Sequence, residues 1–441
     1  MTTIVYADKP ETILQGRPSS SARAVNHVLM GTWLKVLGED GAWYEVEPRA
    51  NRGKGGWVRK SHTRATPALK IFVVDVGQGD GAIVEAPNGR LLIDGGPSKS
   101  YYRFLRHRYW PLIKAGEKVH FDAVVVSHPD MDHFRGLTHA LNDPGFTFGE
   151  VFHNGIIRYD DDFPSGHPFD LGRLERGGTV LAETFDDLDA AGVLVGRGEL
   201  MKTFSDFWEA ARNARTGGRL TGARRITNRN ATLPGFGTND SGKLRIEVLG
   251  PVPTSPNGDV KYVTFPDPGD HPDTAASSSH TRNGHSIVLK LVFGKHSFLF
   301  GGDLNIPAEK HLMAHYGSAN PFRVTVAKSC HHGSSDFTVD YLKRVKPYVN
   351  IVSSGDNKSF DHPTADAVGA AARWTRGTRP LFFLTELGRA QPRAGVHYGL
   401  VNIRSNGSAL VAAQMKEQHK RKSDVWDSFT VPWKGKFPDA V

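Results

Sequence analysis

Short apolar runs, rich in β-branched residues and each ending in a polar or glycine-bearing turn, recur along the middle of the chain. Phe121 to Val126 leads into Ser127-His128. Ser297 to Phe300 leads into Gly301-Gly302-Asp303, and Val324 to Ala327 leads into Lys328-Ser329-Cys330-His331-His332-Gly333-Ser334. Val349 to Val352 leads through Ser353-Ser354-Gly355 to Asp361-His362-Pro363. Their length and branching predict buried strands, and strands that deliver polar residues at their ends make rigid platforms for chemistry. Near the N-terminus, Trp33 to Leu37, Trp43 to Val46 and Gly56 to Val58 are separated by glycine-rich turns and predict a small β-barrel over residues 1–65, with 59–69 as linker. Between 155 and 285 the strand signal weakens. Ser205 to Ala211 reads as a helix capped by Ser205, and Pro251 to Ser279, dense in Pro, Asp, Ser and Thr, reads as an irregular surface loop. Residues 412–441 form a basic and aromatic tail containing Trp426, Phe429 and Trp433.

The polar strand ends hold the chemistry. His128, Asp130, Asp132 and His133 place two imidazoles and two carboxylates within six residues, directly after a strand. Such side chains ligate Zn, Mn and Fe, and a tight turn points several of them into one site. A polar surface turn can also hold His and Asp. Here three further strand ends deliver Asp303, the pair His331 and His332, and His362, so the four together form a constellation. A Gly-x-Ser-x-Gly elbow for a serine nucleophile is missing from the sequence. The single cysteine, Cys330, reads as a packed strand-end thiol. Gly77-Gln78-Gly79-Asp80-Gly81 lacks the helix of a phosphate-cradling loop, because Ala82 to Ala86 continues as a strand and Pro87-Asn88-Gly89 makes a hairpin turn. Asp80 and Asp94 read as the floor of the site, holding other groups by hydrogen bonds.

Several motifs together resemble the metallo-β-lactamase-fold hydrolases, and within them the hydrolase domain of the competence protein ComEC. They are Phe72-Val73-Val74-Asp75-Val76-Gly77-Gln78-Gly79-Asp80, Leu92-Ile93-Asp94-Gly95-Gly96, the His-x-Asp-x-Asp-His turn, Asn283 with Ser286, Gly302-Asp303, Lys328 with the His-His-Gly-Ser run, and His362-Pro363. The resemblance spans residues 70–411, with an insertion at 155–285. It implies an α/β fold, a four-layered αββα sandwich, with two divalent metal ions, Zn or Mn, at one edge. By position it implies that Asp132, His133 and His362 hold one metal, His128 the other, and that Asp303 bridges them. Asp130 stands where most of the superfamily has histidine, which enriches that position in oxygen and makes manganese as suitable as zinc. The third histidine usual before the bridging aspartate has His153 as its best-placed counterpart. Of His331 and His332, one is expected as a ligand and the other as proton donor to the leaving oxygen. Asp132, His331 and His332 are therefore the catalytic candidates, and Lys328 and Ser334 the candidates for holding substrate. Residues 1–65 resemble a bacterial SH3-like domain in Leu37-Gly38-Glu39-Asp40-Gly41-Ala42-Trp43-Tyr44 and Gly55-Gly56-Trp57-Val58, which implies docking of a protein partner.

Charge narrows the substrate. The net charge of +9 is uneven: residues 211–230 hold six arginines and no acid, and Lys416, Lys420, Arg421 and Lys422 form a second basic run. Arginine clusters bind phosphate backbones. A solvated glycine-rich loop is the competing reading, but the position between two metal motifs favours a polyanion gripped by Arg219, Arg224 and Arg225. One cysteine excludes a disulfide scaffold and fits a reducing compartment. The chain opens on no basic-plus-apolar leader, and its apolar runs fall short of the roughly 18 residues of a membrane span, so a cytoplasmic location is expected. The expectation is a two-metal phosphodiesterase, a nuclease acting on DNA or RNA. The alternatives are hydrolysis of a small cyclic nucleotide, lactone or other ester, and a partner-docking protein whose hydrolysis is secondary.

Overall fold

Residues 3–48, 54–160, 170–267, 276–355, 360–386, 399–415 and 421–432 are described by the computed structural model of the chain. Two sheets lie face to face. The larger runs in the order Leu220–Arg225, Phe146–His153, Val119–Val125, Gly89–Ile93, Ala82–Ala86, Leu69–Val73, Val401–Ser405, Leu410–Met415, Trp426–Val431. The smaller runs Arg245–Gly250, Val288–Phe293, His296–Phe300, Val326–Lys328, Val349–Val352, Leu381–Leu384.

Alternation along each strand decides which layer a side chain joins. Ile71, Val84, Leu91 and Val125 meet Ile246, Leu289, Phe298 and Val349 between the sheets. Their neighbours Phe72, Ile83, Leu92 and Val124 face outward, into a core shared with the helices Lys99–Lys114, Met131–Leu141, Leu188–Arg197 and Lys202–Thr216. The smaller sheet is covered by Ile306–Tyr316 and Val339–Val345, through Leu312, Tyr341 and Val345. Strands covered on both faces read as continuous apolar runs, and the layers are α, β, β, α.

Parallel pairing positions the site. Gly89–Ile93, Val119–Val125 and Phe146–His153 run parallel, as do His296–Phe300, Val326–Lys328 and Val349–Val352. Their C-terminal ends therefore emerge along a common edge, carrying Asp94, His128, Asp303, His332 and Ser353.

The N-terminal strands form a separate antiparallel sheet of seven, with a small core of Val5, Ala7, Leu14, Val28, Leu34, Val46 and Val58. Trp33, Trp43 and Trp57 are half-buried around it. Met30 and Ala68 pack with Val411 where this sheet meets the larger one.

Three elements differ from expectation. The helix read from Ser205 to Ala211 spans Lys202–Thr216 and starts without a side-chain cap, because burial of Phe204, Phe207, Trp208 and Ala211 sets its extent. The segment 155–285 supplies Leu220–Arg225 and Arg245–Gly250, one edge strand of each sheet. The first buries only Leu220 and Ala223, so its polar remainder hides the strand. In the tail, Trp426–Val431 pairs with Leu410–Met415. Lys416, Lys420 and Trp433 lie outside the described residues. Among the described residues, no helix is long and apolar enough to cross a membrane.

Candidate metal centre

The turn after Val119–Val125 carries His128, and the first turn of Met131–Leu141 carries Asp132 and His133. Each buried imidazole of the centre has its Nδ1 engaged. His133 Nδ1 donates to Asp94 Oδ2 at 3.0 Å, while Asp94 Oδ1 accepts the Ser127 N–H at 2.8 Å. His332 Nδ1 donates to the Ser353 carbonyl at 3.0 Å. His128 Nδ1 lies 3.0 Å from Ser127 Oγ and 3.2 Å from Ser286 Oγ, whose own proton goes to the Asn283 carbonyl at 2.7 Å, so Ser286 offers an acceptor for a proton on that nitrogen. A proton held on Nδ1 leaves the lone pair on Nε2. The Nε2 atoms of His128, His133 and His332 are buried and lack a hydrogen-bond partner, as does Asp303 Oδ1. His332 and His133 approach Asp303 Oδ2 to 3.0 and 3.3 Å, and Asp132 Oδ2 to 3.3 and 3.8 Å. One ligand atom from each of Asp132, His133, Asp303 and His332 lies within 4.8 Å of the others. Two imidazoles and two carboxylates in this arrangement fit a divalent ion such as Zn or Mn.

Supporting groups hold this set in place. Asp303 donates its N–H to Ser286 Oγ at 3.0 Å. The preceding Gly302 has φ +55°, and a Cβ there would stand 2.6 Å from Ser286 Oγ. Lys328 is 4% exposed. Its ammonium meets the Asp80 carboxylate and lies 3.8 Å from Asp303 Oδ1. Asp80, Asp94 and His133 also cluster, but Lys328, the Ser127 N–H and His133 Nδ1 already occupy those two carboxylates. Asp94, His331, His332 and Asp361 border the site with φ of 57°, 46°, 54° and 51°, four of the six left-handed non-glycine residues described. Strain of this kind persists where the surroundings impose it.

Charge within the centre is mutually compensated. Burial opposes the charge on Asp303, yet His332 and His133 outweigh it and hold the carboxyl well below its ordinary range. Burial likewise opposes protonation of His133 and His332. Asp303 and Asp132 with Asp94 raise the first imidazole well above its ordinary value; Asp303 and Asp80 with Asp132 raise the second. A divalent cation is the natural replacement for those two protons.

The remaining candidates fall in different places. His362 bonds Gln78 Nε2 through Nδ1 at 3.1 Å. It lies on the pocket wall, outside the four-residue group, its ring 6.4 Å from that of His332. The group of four includes His332 and not His362. His153 stacks on Phe185 at 4.4 Å against the edge of Trp208, and burial lowers its pKa to about 3; it is a core residue. His331 lines the pocket and has a buried, unpartnered Nδ1. Ser334 Oγ accepts the Asp336 N–H at 3.2 Å, and Ser334 is absent from the pocket wall. Arg219 donates to the carbonyls of Leu141 and Asp143 at 2.6 and 3.2 Å. Arg224 pairs with Glu150 at 2.8 Å, and Arg225 with Asp186.

Asp130 belongs to a network that the sequence did not reveal. Its carboxylate meets the Arg282 guanidinium, lies 3.9 Å from Arg158 Nη1 and 3.6 Å from His128 Nε2. Arg158 and Arg282 also share Asp170, at 2.9 and 3.3 Å. Asp130, Asp132, Arg282, Asp303, His331 and His332 are among the residues lining one pocket of about 430 Å³.

Residues 74–182, which carry the Gly77-Gln78-Gly79 loop, Asp94 and the His-x-Asp-x-Asp-His turn, match the metallo-beta-lactamase superfamily. ComE operon protein 3 of Bacillus subtilis (strain 168) is 23% identical over 312 residues, 67% of this chain and 29% of that protein. Competence protein ComA of Neisseria gonorrhoeae is 36% identical over 83 residues, 19% of this chain and 12% of that protein. This chain thus spans less than a third of the length of either relative. Among solved structures, the metallo-beta-lactamase fold protein YhfI from Bacillus subtilis is 11% identical with a TM-score of 0.32, covering 73% of this chain and 98% of its own. The superfamily match covers the turn that carries His128, Asp132 and His133, and the layered α/β sandwich around it has the metallo-β-lactamase arrangement.

Proposed function

We propose that the chain is a metal-dependent phosphodiesterase with a dinuclear centre. Asp132, His133, Asp303 and His332 would hold one ion, and His128 would serve a second. The observation that carries this reading is the gathering of ligand atoms from Asp132, His133, Asp303 and His332 at one strand edge, with the buried Nε2 of His128 left without a hydrogen bond. Divalent ions held there supply Lewis acidity and lower the pKa of water towards neutrality.

The chain's own groups complete the reaction. His331, at the pocket wall and outside the ligand group, donates the proton to the leaving oxygen. Arg282, also at the wall, is paired with Asp130 and Asp170 and holds that side of the pocket in place. Lys328 and Asp80 orient Asp303, and Asp94 orients His133.

The substrate we favour is nucleic acid, DNA or RNA. Support comes from the ComEC-like motifs and from a relative named as a competence protein. One observation favours a small diester such as a cyclic nucleotide instead. Arg219, Arg224 and Arg225 are bonded elsewhere, and a pocket of about 430 Å³ suits a small ligand. The N-terminal sheet, read as an SH3-like module, would then dock a protein partner; the single cysteine supports a reducing, cytoplasmic setting.

The test is hydrolysis by chelator-treated protein resupplied with Mn²⁺ or Zn²⁺, on single- and double-stranded DNA, RNA and bis(p-nitrophenyl) phosphate, with Asp132→Ala as control. Cleavage of polymer, lost in the variant, is the expected result. Turnover of the small diester alone selects the second substrate. Inactivity on every substrate with either metal overturns the phosphodiesterase reading.

A further inference from the structure

We propose that a second site, where the N-terminal sheet meets the larger sheet, binds an anion carrying a phosphate group. Four charged residues form one row across adjacent strands. Arg90 stands opposite Glu85, Glu85 opposite Lys70, and Lys70 opposite Arg404. Arg108 reaches over the row from the Lys99–Lys114 helix. Together with Thr32 and Trp33 of the N-terminal sheet, these side chains line a pocket of about 180 Å³.

Positive charge outweighs negative in this pocket. Four cations, Lys70, Arg90, Arg108 and Arg404, face the single carboxylate Glu85, an excess of three positive charges. Glu85 is already committed: Lys70 and Arg108 each approach it to 2.6 Å, and the Tyr109 hydroxyl donates to it at 2.7 Å. Arg404 is 8% exposed, and its guanidinium is bonded only to neutral oxygens. Nη2 donates to Asn402 Oδ1 at 3.0 Å and Nη1 to the Met30 carbonyl at 3.4 Å, while its buried Nε has no partner. Like charges directly opposite on paired strands repel, and a buried guanidinium without a counter-charge is destabilising. Burial and Arg108 accordingly press the pKa of Arg404 down to about 9. A doubly charged phosphate supplies the missing charge, and guanidinium forks match its oxygens.

This site is separate from the metal centre. Arg90 lies near the start of Gly89–Ile93 and Asp94 follows its end, about 13 Å along the strand at roughly 3.3 Å per residue. Because Arg404 also holds the Met30 carbonyl, an occupied site would fasten the N-terminal sheet to the body.

The experiment uses the full chain treated with chelator, so that metal-bound phosphate does not contribute. Thermal melting and calorimetric titration at low ionic strength are run with inorganic phosphate, adenosine 5′-monophosphate, and one oligonucleotide with and without a 5′-phosphate, against chloride at matched ionic strength. Phosphate probes are expected to raise the melting temperature by several degrees, with binding at least tenfold weaker in Arg404→Gln and Arg90→Ala. Arg90 is half-exposed at the mouth, so its variant decides the matter if Arg404→Gln fails to fold. Binding of phosphate and the mononucleotide identifies a small ligand; binding of the 5′-phosphorylated strand alone identifies a nucleic-acid end. Absence of any shift, equal binding of the unphosphorylated strand, or unchanged affinity in Arg90→Ala overturns the proposal.

Discussion

Asp130 shows how much one residue depends on partners far away in sequence. The turn motif makes His128, Asp132 and His133 legible as candidate ligands, because they fall within six residues of one another directly after a strand. It suggests the same for Asp130. A half-buried carboxylate beside His128 needs counter-charge, and the fold brings Arg158 and Arg282 to it from distant segments. No local pattern announces that pairing. Both guanidiniums meet Oδ1 of Asp130 while its Oδ2 faces His128 Nε2 at 3.6 Å, so an ion bound there would compete with two positive charges, and the two metal positions should differ in affinity. Chelator-treated protein titrated with Mn²⁺ is expected to bind one equivalent tightly and a second at least tenfold more weakly. Arg282→Gln should strengthen the second step by releasing Asp130, with the first little changed. Two equal tight steps in the unaltered protein would show that Asp130 is free to ligate.

At the scale of elements, burial on both faces made the central strands readable and burial on one face concealed the edges. Phe121 to Val126 and Val349 to Val352 match observed strands closely because nearly every residue is apolar. Leu220–Arg225 reads as a basic loop because only Leu220 and Ala223 turn inward. Its arginines then take structural partners. Arg219, just before that strand, donates to the Leu141 and Asp143 carbonyls at the C-terminal end of Met131–Leu141, the helix that carries Asp132 and His133. A cation there satisfies carbonyls that the helix leaves open and complements its dipole. Arg219→Ala is expected to cost about 1–2 kcal/mol, read as a lower urea midpoint. The salt dependence of any nucleic-acid binding should stay as in the parent, since this side chain is engaged within the fold. A shallower salt slope with unchanged stability would return Arg219 to the substrate.

In the whole molecule, the same layering that brings the strand ends together also buries histidines that take no part in the centre. The sequence offers 20 histidines, and nothing in their local context separates ligand from core. His153 is the best-placed counterpart of the third histidine that the resemblance implies, lying between the turn motif and Asp303; the helices packed over its strand place Phe185 and Trp208 around it instead. His285 lies between Tyr262 and Phe265 at 4.5 and 4.7 Å, its Nε2 donating to the Val263 carbonyl at 2.7 Å. Burial lowers the pKa of each to about 3, from an ordinary 6.5. Above pH 6.5 both are neutral in folded and unfolded chains alike, and their contribution to stability is fully present. Between 6.5 and about 3 only the unfolded chain takes up the protons, so stability falls with pH, by up to about 1.4 kcal/mol per pH unit for each histidine. Carboxylates add to the acid loss in the same window, so the informative quantity is the difference between parent and variant. His285→Gln keeps an N–H for the Val263 carbonyl but cannot titrate. Urea unfolding of chelator-treated protein from pH 7.5 to 4 should find the variant less stable at neutral pH and losing stability less steeply below 6.5. Parallel curves would mean that His285 charges in the folded protein, and that the stacked ring between Tyr262 and Phe265 is open to water.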